Sequence, residues 1–219
     1  MADAERPIRT AVLTGWHPFD VPAFQDLLES MPGIRAYPQD LTNWAFDADG
    51  ARERYDVHLF YNMHPTLPPD DWPGGAQARP ALEALERSRG GIVLLHHAIL
   101  AWPDWPYWGQ LAGIGDRRFG YHMAQRFRVR IADPEHPITR GLADFDLADE
   151  TYTMAEAGPD CHVVLATDHP LSMRTLAWTR RQGEARVFCL QPGHDADAWR
   201  NPMFRTVLAR GIRWAARAL

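Results

Sequence analysis

A chain of 219 residues with 23 Lys and Arg against 28 Asp and Glu carries a net charge of −5, which removes the positive field that nucleic acid or an anionic membrane surface requires. With 46% hydrophobic and 23% charged residues, the chain reads as globular and long enough to bury a full core. No apolar stretch approaches membrane-spanning length. The N-terminal run Met1-Ala2-Asp3-Ala4-Glu5-Arg6 is acidic and leads into no apolar region, so a cytoplasmic protein without a signal peptide is expected.

In chain order, the first half alternates strands and helices. Arg9 to Gly15 reads as a strand, and Val21 to Ser30 as a helix with Phe24, Leu27 and Leu28 on one face. Pro32-Gly33 stops that helix before a short strand from Ile34 to Tyr37. Val57 to Tyr61 is a third strand. Ala76 to Ser88 is a helix ended by Arg89-Gly90-Gly91, and Ile92 to His96 is a fourth strand, apolar on both faces as a central parallel strand must be. Strands separated by helices imply right-handed crossovers and a parallel sheet covered on both sides. The second half holds shorter strands at Phe127 to Ile131, Glu150 to Met154, His162 to Thr167, Thr175 to Thr179 and Ala185 to Leu190, the last two joined by a turn at Gln182-Gly183. These suit antiparallel additions at a sheet edge. An amphipathic helix from about Asn201 to Ala218 closes the chain, with Asn201 as N-cap, Pro202 in the first turn and Gly211 packing closely on the sheet. No repeat, low-complexity tract or linker divides residues 1–219, which read as a single domain.

Histidines cluster at the ends of the apolar runs. His17, His64, the pair His96-His97 and His194 each follow one. In an open parallel sheet the carboxyl ends lie along one edge, where ligands bind, so these residues are expected to face one crevice. Side chains alternate along a strand, so only one of His96 and His97 is expected to reach the crevice while the other packs under a helix. Glu150 and Tyr152 share one strand face and offer a general base and a hydrogen-bond donor. Asp195 can orient the imidazole of His194. His136 is expected to stabilise its own loop. Trp102 to Trp108 reads either as a sugar-stacking surface or as a packed loop. Cys161 and Cys189 lie in apolar runs without paired spacing and are expected to be small buried hydrophobes.

The ordered set Leu95-His96-His97-Ala98, His136-Pro137-Ile138-Thr139-Arg140-Gly141-Leu142, Asp149-Glu150-Thr151-Tyr152, Gly193-His194-Asp195 with Trp199 and Asn201-Pro202-Met203-Phe204, and Gly211-Ile212-Arg213-Trp214 resembles the ThuA-like (trehalose utilisation) family over nearly the whole chain. The resemblance implies a class I glutamine amidotransferase-like fold: a flavodoxin-like, three-layer α/β sandwich whose mainly parallel sheet carries antiparallel additions. It also implies a role in disaccharide and 3-keto glycoside metabolism, with His97 at the strand–helix elbow and Glu150 and His194 beside it as catalytic groups. Amidotransferases carry a Cys between glycines at that elbow. Leu95-His96-His97-Ala98-Ile99 has neither, so no thiolate is available for glutamine hydrolysis.

Two functions follow as expectations. The first is acid–base or metal-assisted lyase or hydrolase chemistry on a keto-sugar, with His17, His64, Tyr152 and Trp199 as substrate contacts. A divalent metal such as Zn would be held by several of His17, His64, His97, His194 and Glu150, although no short-spaced ligand pair marks it. The second is a non-catalytic sugar-binding or regulatory module on the same scaffold. The expected partners are a small-molecule sugar and, in a homo-oligomer, further copies of the chain, with no nucleic acid and no membrane.

Overall fold

Residues 6–219 are described by the computed structural model; the reading of the N-terminal run falls largely on residues 1–5, outside the described residues. Nine strands follow in chain order: β1 (Ile8–Gly15), β2 (Ile34–Asp40), β3 (Val57–Asn62), β4 (Gly91–Leu95), β5 (Gly120–Ile131), β6 (Phe145–Thr153), β7 (His162–Ala166), β8 (Thr175–Gln182) and β9 (Ala185–Leu190). They form one sheet in the order β2-β1-β3-β4-β9-β8-β7-β5-β6. The pairs among β2, β1, β3, β4 and β9 are parallel, and the remaining pairs are antiparallel. The sheet thus has a parallel centre with antiparallel additions at one side, the α/β arrangement that the resemblance implies.

Alternation along the central strands sends side chains to two helical layers. Val12, Leu59, Val93, Leu95, Phe188 and Leu190 meet α1 (Val21–Glu29) and α6 (Pro202–Ala215) on one face. Leu13, Phe60, Ile92, Leu94, Val187 and Cys189 meet α2 (Leu41–Phe46), α3 (Gly75–Ala84) and α4 (Pro106–Ala112) on the other. β3 and β4 are buried along their whole length, which is why β4 reads as a continuous apolar run. Each fully buried aliphatic side chain in these layers contributes about 1.5–3 kcal/mol. α6 lies against the sheet without a spacer: a Cβ on Gly211 would sit 2.1 Å from the Phe188 ring. Its start is capped as the sequence indicates, the Asn201 side chain accepting from the N–H groups of Met203 and Phe204 with Pro202 in the first turn.

Three helices escaped the sequence reading: α2, α4 and α5 (Ala196–Trp199). All are short, and their buried faces are set by neighbours rather than by a repeating pattern. β5 also starts earlier than expected, because a bulge between His122 and Gln125, with Ala124 at φ 52°, breaks its alternation. The Trp102 to Trp108 segment is a packed one. Trp102, Trp105 and Trp108 are buried in the core under the sheet, and the Arg117 guanidinium donates to the carbonyls of Ala101, Trp102 and Trp105 beside them. It is therefore no sugar-stacking surface. Among the described residues no helix is long and apolar enough to cross a membrane.

His58 on β3 makes the fold acid-sensitive. It is buried, and its Nδ1 accepts from the Trp44 indole N–H at 3.2 Å. Burial holds its pKa down at about 4, below the ordinary 6.5, because the charged form cannot be solvated there and protonation removes the acceptor. The unfolded chain then binds the extra proton between these values. Stability is complete above pH 6.5, falls as pH decreases through that window and has lost about 3 kcal/mol from this group by pH 4. Urea unfolding at pH 7.5, 6 and 4.5 should show the midpoint moving steadily down. A midpoint independent of pH over this range would refute the assignment.

Candidate functional site

The carboxyl ends of β1, β3, β4 and β9 lie along one edge of the sheet, and β6 reaches over the same region. β4 ends at Leu95, and His96 takes a left-handed backbone with φ 53° before a 3-10 turn over His96–Leu100. For a side chain branching at an imidazole this conformation stores strain, a pattern associated with functional sites. The residue at the strand–helix elbow is thus His96, one position before the His97 assigned from the resemblance. The bend also cancels the expected alternation. Neither imidazole packs away under a helix: His96 and His97 are both buried on the crevice side with ring centroids 5.4 Å apart.

Four imidazoles close a ring of contacts here. His97 lies 4.5 Å from His17, His17 lies 5.4 Å from His194, and His194 lies 5.3 Å from His96. Glu150, projecting from β6, meets two of them: its Oε1 is 3.4 Å from His96 Nε2, and its Oε2 is 3.9 Å from His194 Nε2. One donor atom from each of His96, Glu150 and His194 falls within 4.8 Å of the others, a spacing that suits a metal ion.

The surrounding bonds decide which atoms are free to ligate. His96 Nδ1 lies 2.6 Å from the Gln191 carbonyl, which can only accept, so Nδ1 carries the hydrogen and Nε2 presents its lone pair. The Tyr152 hydroxyl stands 2.7 Å from that Nε2 and stacks on the ring. That hydroxyl can donate to the lone pair, so Nε2 and the Glu150 carboxylate meet through the hydroxyl, through a proton on the ring or through a cation. Burial disfavours the proton, holding His96 below its usual pKa against the pull of Glu150. Burial also pulls the Glu150 carboxyl up, but His96, His194 and the Tyr152 hydroxyl outweigh it and hold the group below its ordinary value. Two imidazoles and one carboxylate form a donor set that fits Zn²⁺ or a similar divalent ion and leaves coordination positions open.

Further polar groups aim into the same space. Asn62 Oδ1, His17 Nδ1, both nitrogens of His97 and the Gln191 amide are buried without a hydrogen-bond partner. Buried polar atoms left in this way mark ligand-binding regions, since each costs about 1–3 kcal/mol when unpaired. Burial, reinforced by His96 and His17, lowers the His97 pKa to about 2, and burial with His194 nearby lowers that of His17. Both rings are therefore neutral at pH 7, and burial opposes protonation more strongly at His97 than at His17.

Asp149, not singled out in the sequence, anchors the loop that carries His194. Its carboxylate accepts from the N–H of Gly193 at 2.5 Å and of His194 at 3.0 Å. Burial pushes its pKa up to about 8 despite those donors. The Tyr61 hydroxyl donates to the His194 carbonyl at 2.8 Å, and Asp195 Oδ2 lies 3.3 Å from His194 Nδ1. Only the adjacent acids Asp149-Glu150 hinted at this division of labour: successive residues on one strand face opposite ways, one to the loop and one to the imidazoles.

The remaining candidates fall outside the donor set. Tyr152 reaches it only through His96 and Glu150. His64 lies against the Trp102 ring at 5.6 Å, with its Nδ1 2.8 Å from Asn62 Nδ2. Trp199 is buried in the core against Phe24 and donates its indole N–H to the Gly193 carbonyl, so it supports the loop from below and does not face a ligand. His136 accepts from the N–H of Ile138 within its own loop. Cys189 is buried, whereas Cys161 is only partly so; burial raises both thiols above their usual pKa, and neither stands at the elbow.

Comparison with known proteins matches these features to a family. The family model described as ThuA, trehalose utilisation, matches residues 20–215. A ThuA-like protein from Parabacteroides merdae superposes with a TM-score of 0.74 at 19% identity, covering 96% of this chain and 90% of that one. A cytoplasmic protein of Salmonella typhimurium gives 0.63 at 12% identity, covering 94% and 98%. A glutamine amidotransferase from Thermotoga maritima gives 0.55 at 7% identity, again covering 94% and 98%. At these identities the structures share the fold alone. No curated protein matches the chain. The extent of the family match, over most of the chain and across every element of the site except the β1 end, shows that this protein belongs to the ThuA, trehalose utilisation, family.

Proposed function

We propose that this protein is a cytoplasmic, metal-assisted enzyme that cleaves a 3-keto glycoside. The observation that carries the reading is the His96–Glu150–His194 donor set, walled by imidazoles that remain neutral at pH 7. A divalent ion on those three residues would act as a Lewis acid for the keto oxygen and the hydroxyl beside it. His96 is held in the ligating tautomer by the Gln191 carbonyl, and Asp149 keeps His194 in place. A keto group acidifies the neighbouring C–H. The neutral imidazole of His17 accepts that proton, a double bond forms toward the anomeric carbon, and the glycosidic C–O bond breaks. The departing oxygen takes up a proton, and the imidazolium formed in the first step is the group that returns it.

The test is incubation with 3-keto-trehalose, following glucose release with and without chelator. Turnover that is chelator-sensitive and lost in Glu150→Gln and His194→Ala is expected. Absence of turnover on a panel of keto and ordinary disaccharides, together with measurable sugar binding, would replace this reading with a non-catalytic binding module.

A further inference from the structure

Trp16 directly precedes His17 at the end of β1. Gly15, at φ 141°, ends β1, and Trp16 follows with φ 63° and 65% of its surface exposed. A left-handed backbone costs a bulky L residue about 1 kcal/mol, and exposing an indole forgoes its burial, so the fold spends stability twice at this position. The indole stands 6.0 Å from the His64 ring. The next residue, His17, turns instead toward His97 and His194. Neighbouring residues thus present two rings to different partners, His17 to the imidazoles around the donor set and the exposed Trp16 indole to His64.

We propose that Trp16 is the stacking platform for a second sugar ring, so that the site takes a glycoside of at least two rings rather than a monosaccharide. The inference rests on the carbohydrate reading above. The apolar C–H face of a pyranose matches the face of an indole, and the His64 imidazole 6.0 Å from Trp16 suits a neutral, hydroxyl-rich ligand. Trp16 is a positioning residue: it holds the ring that leaves and touches no reacting atom.

Calorimetric titration with trehalose, which has two rings and no keto group, and with methyl α-glucoside, which has one, tests the assignment. Trp16→Ala should weaken trehalose binding about 10- to 30-fold, Trp16→Phe should stay within about threefold of the parent, and methyl α-glucoside should bind all three proteins alike. Thermal melting should be unchanged, since the side chain is exposed. If Trp16→Ala binds trehalose as the parent does, the platform is refuted and the carbohydrate reading stands. If it weakens both sugars equally, Trp16 serves the reacting ring and the two-ring claim fails. If the parent binds neither sugar, the same comparison is read with 3-keto-trehalose, and a parent that does not bind that either overturns the carbohydrate reading and this inference with it.

Discussion

Zinc affinity should fall about 100- to 1000-fold in Glu150→Gln and in His194→Ala, with the fold retained. Structural zinc sites with four protein ligands bind with about 10–16 kcal/mol, so one ligand is worth roughly 3–4 kcal/mol, which converts to that range. Glu150→Gln preserves shape and removes the only carboxylate of the His96–Glu150–His194 set. His194→Ala removes a partly buried ring at the edge of the pocket, so little core is lost. His96→Ala should lose as much affinity but also destabilise the protein, because His96 is fully buried and its removal strips the Gln191 carbonyl of its donor. Competition with a chromophoric chelator measures all three. Parent and variants that bind Zn²⁺, Mn²⁺ and Co²⁺ equally, or a parent that binds none of them, would refute the donor set.

Asp149→Ala should cost about 3 kcal/mol of stability and lower zinc affinity about 10- to 100-fold, although Asp149 ligates nothing. Its carboxylate is the acceptor for two backbone N–H groups, those of Gly193 and His194. Removing it leaves both donors buried and unsatisfied, and the loop bearing His194 loses its anchor. Asp195→Ala is the contrast. That side chain is half exposed and caps the short helix α5 by accepting from the Asp197 N–H, so its loss should cost about 1 kcal/mol and little affinity. Urea unfolding and the chelator competition, run on both variants, separate the two roles. An Asp149→Ala protein as stable as the parent would show that the loop is held by other contacts.

The layered fold was legible in the sequence because its causes are local. Ile92 to Leu95 is apolar on both faces, which a strand covered on both sides satisfies, and it is buried end to end. Asn201-Pro202 starts α6 by chemistry that acts within one turn, and Gly211 marks its closest approach to the sheet. The short helices were not legible. α2 and α4 owe their conformation to the core they cover, and Trp102 to Trp108 carries the same composition whether it stacks on a ligand or packs inward.

The site divides in the same way. Runs of strand-forming residues ending in histidine are a one-dimensional pattern, and they bring His17, His96, His97 and His194 to one sheet edge by the handedness of the crossovers alone. Which nitrogen faces which carboxylate is a matter of ångströms. It depends on one left-handed residue at the end of β4, which puts His96 rather than His97 beside Glu150, and on a buried aspartate that ties down a loop more than forty residues away in the chain. Trp199 shows the converse: its place after the histidine loop suggests a ligand contact, and its burial against Phe24 makes it a support. Periodicity and capping act between near neighbours and are written in the order of residues. Donor geometry arises from contacts between distant segments, whose free energies are settled only when the whole core packs.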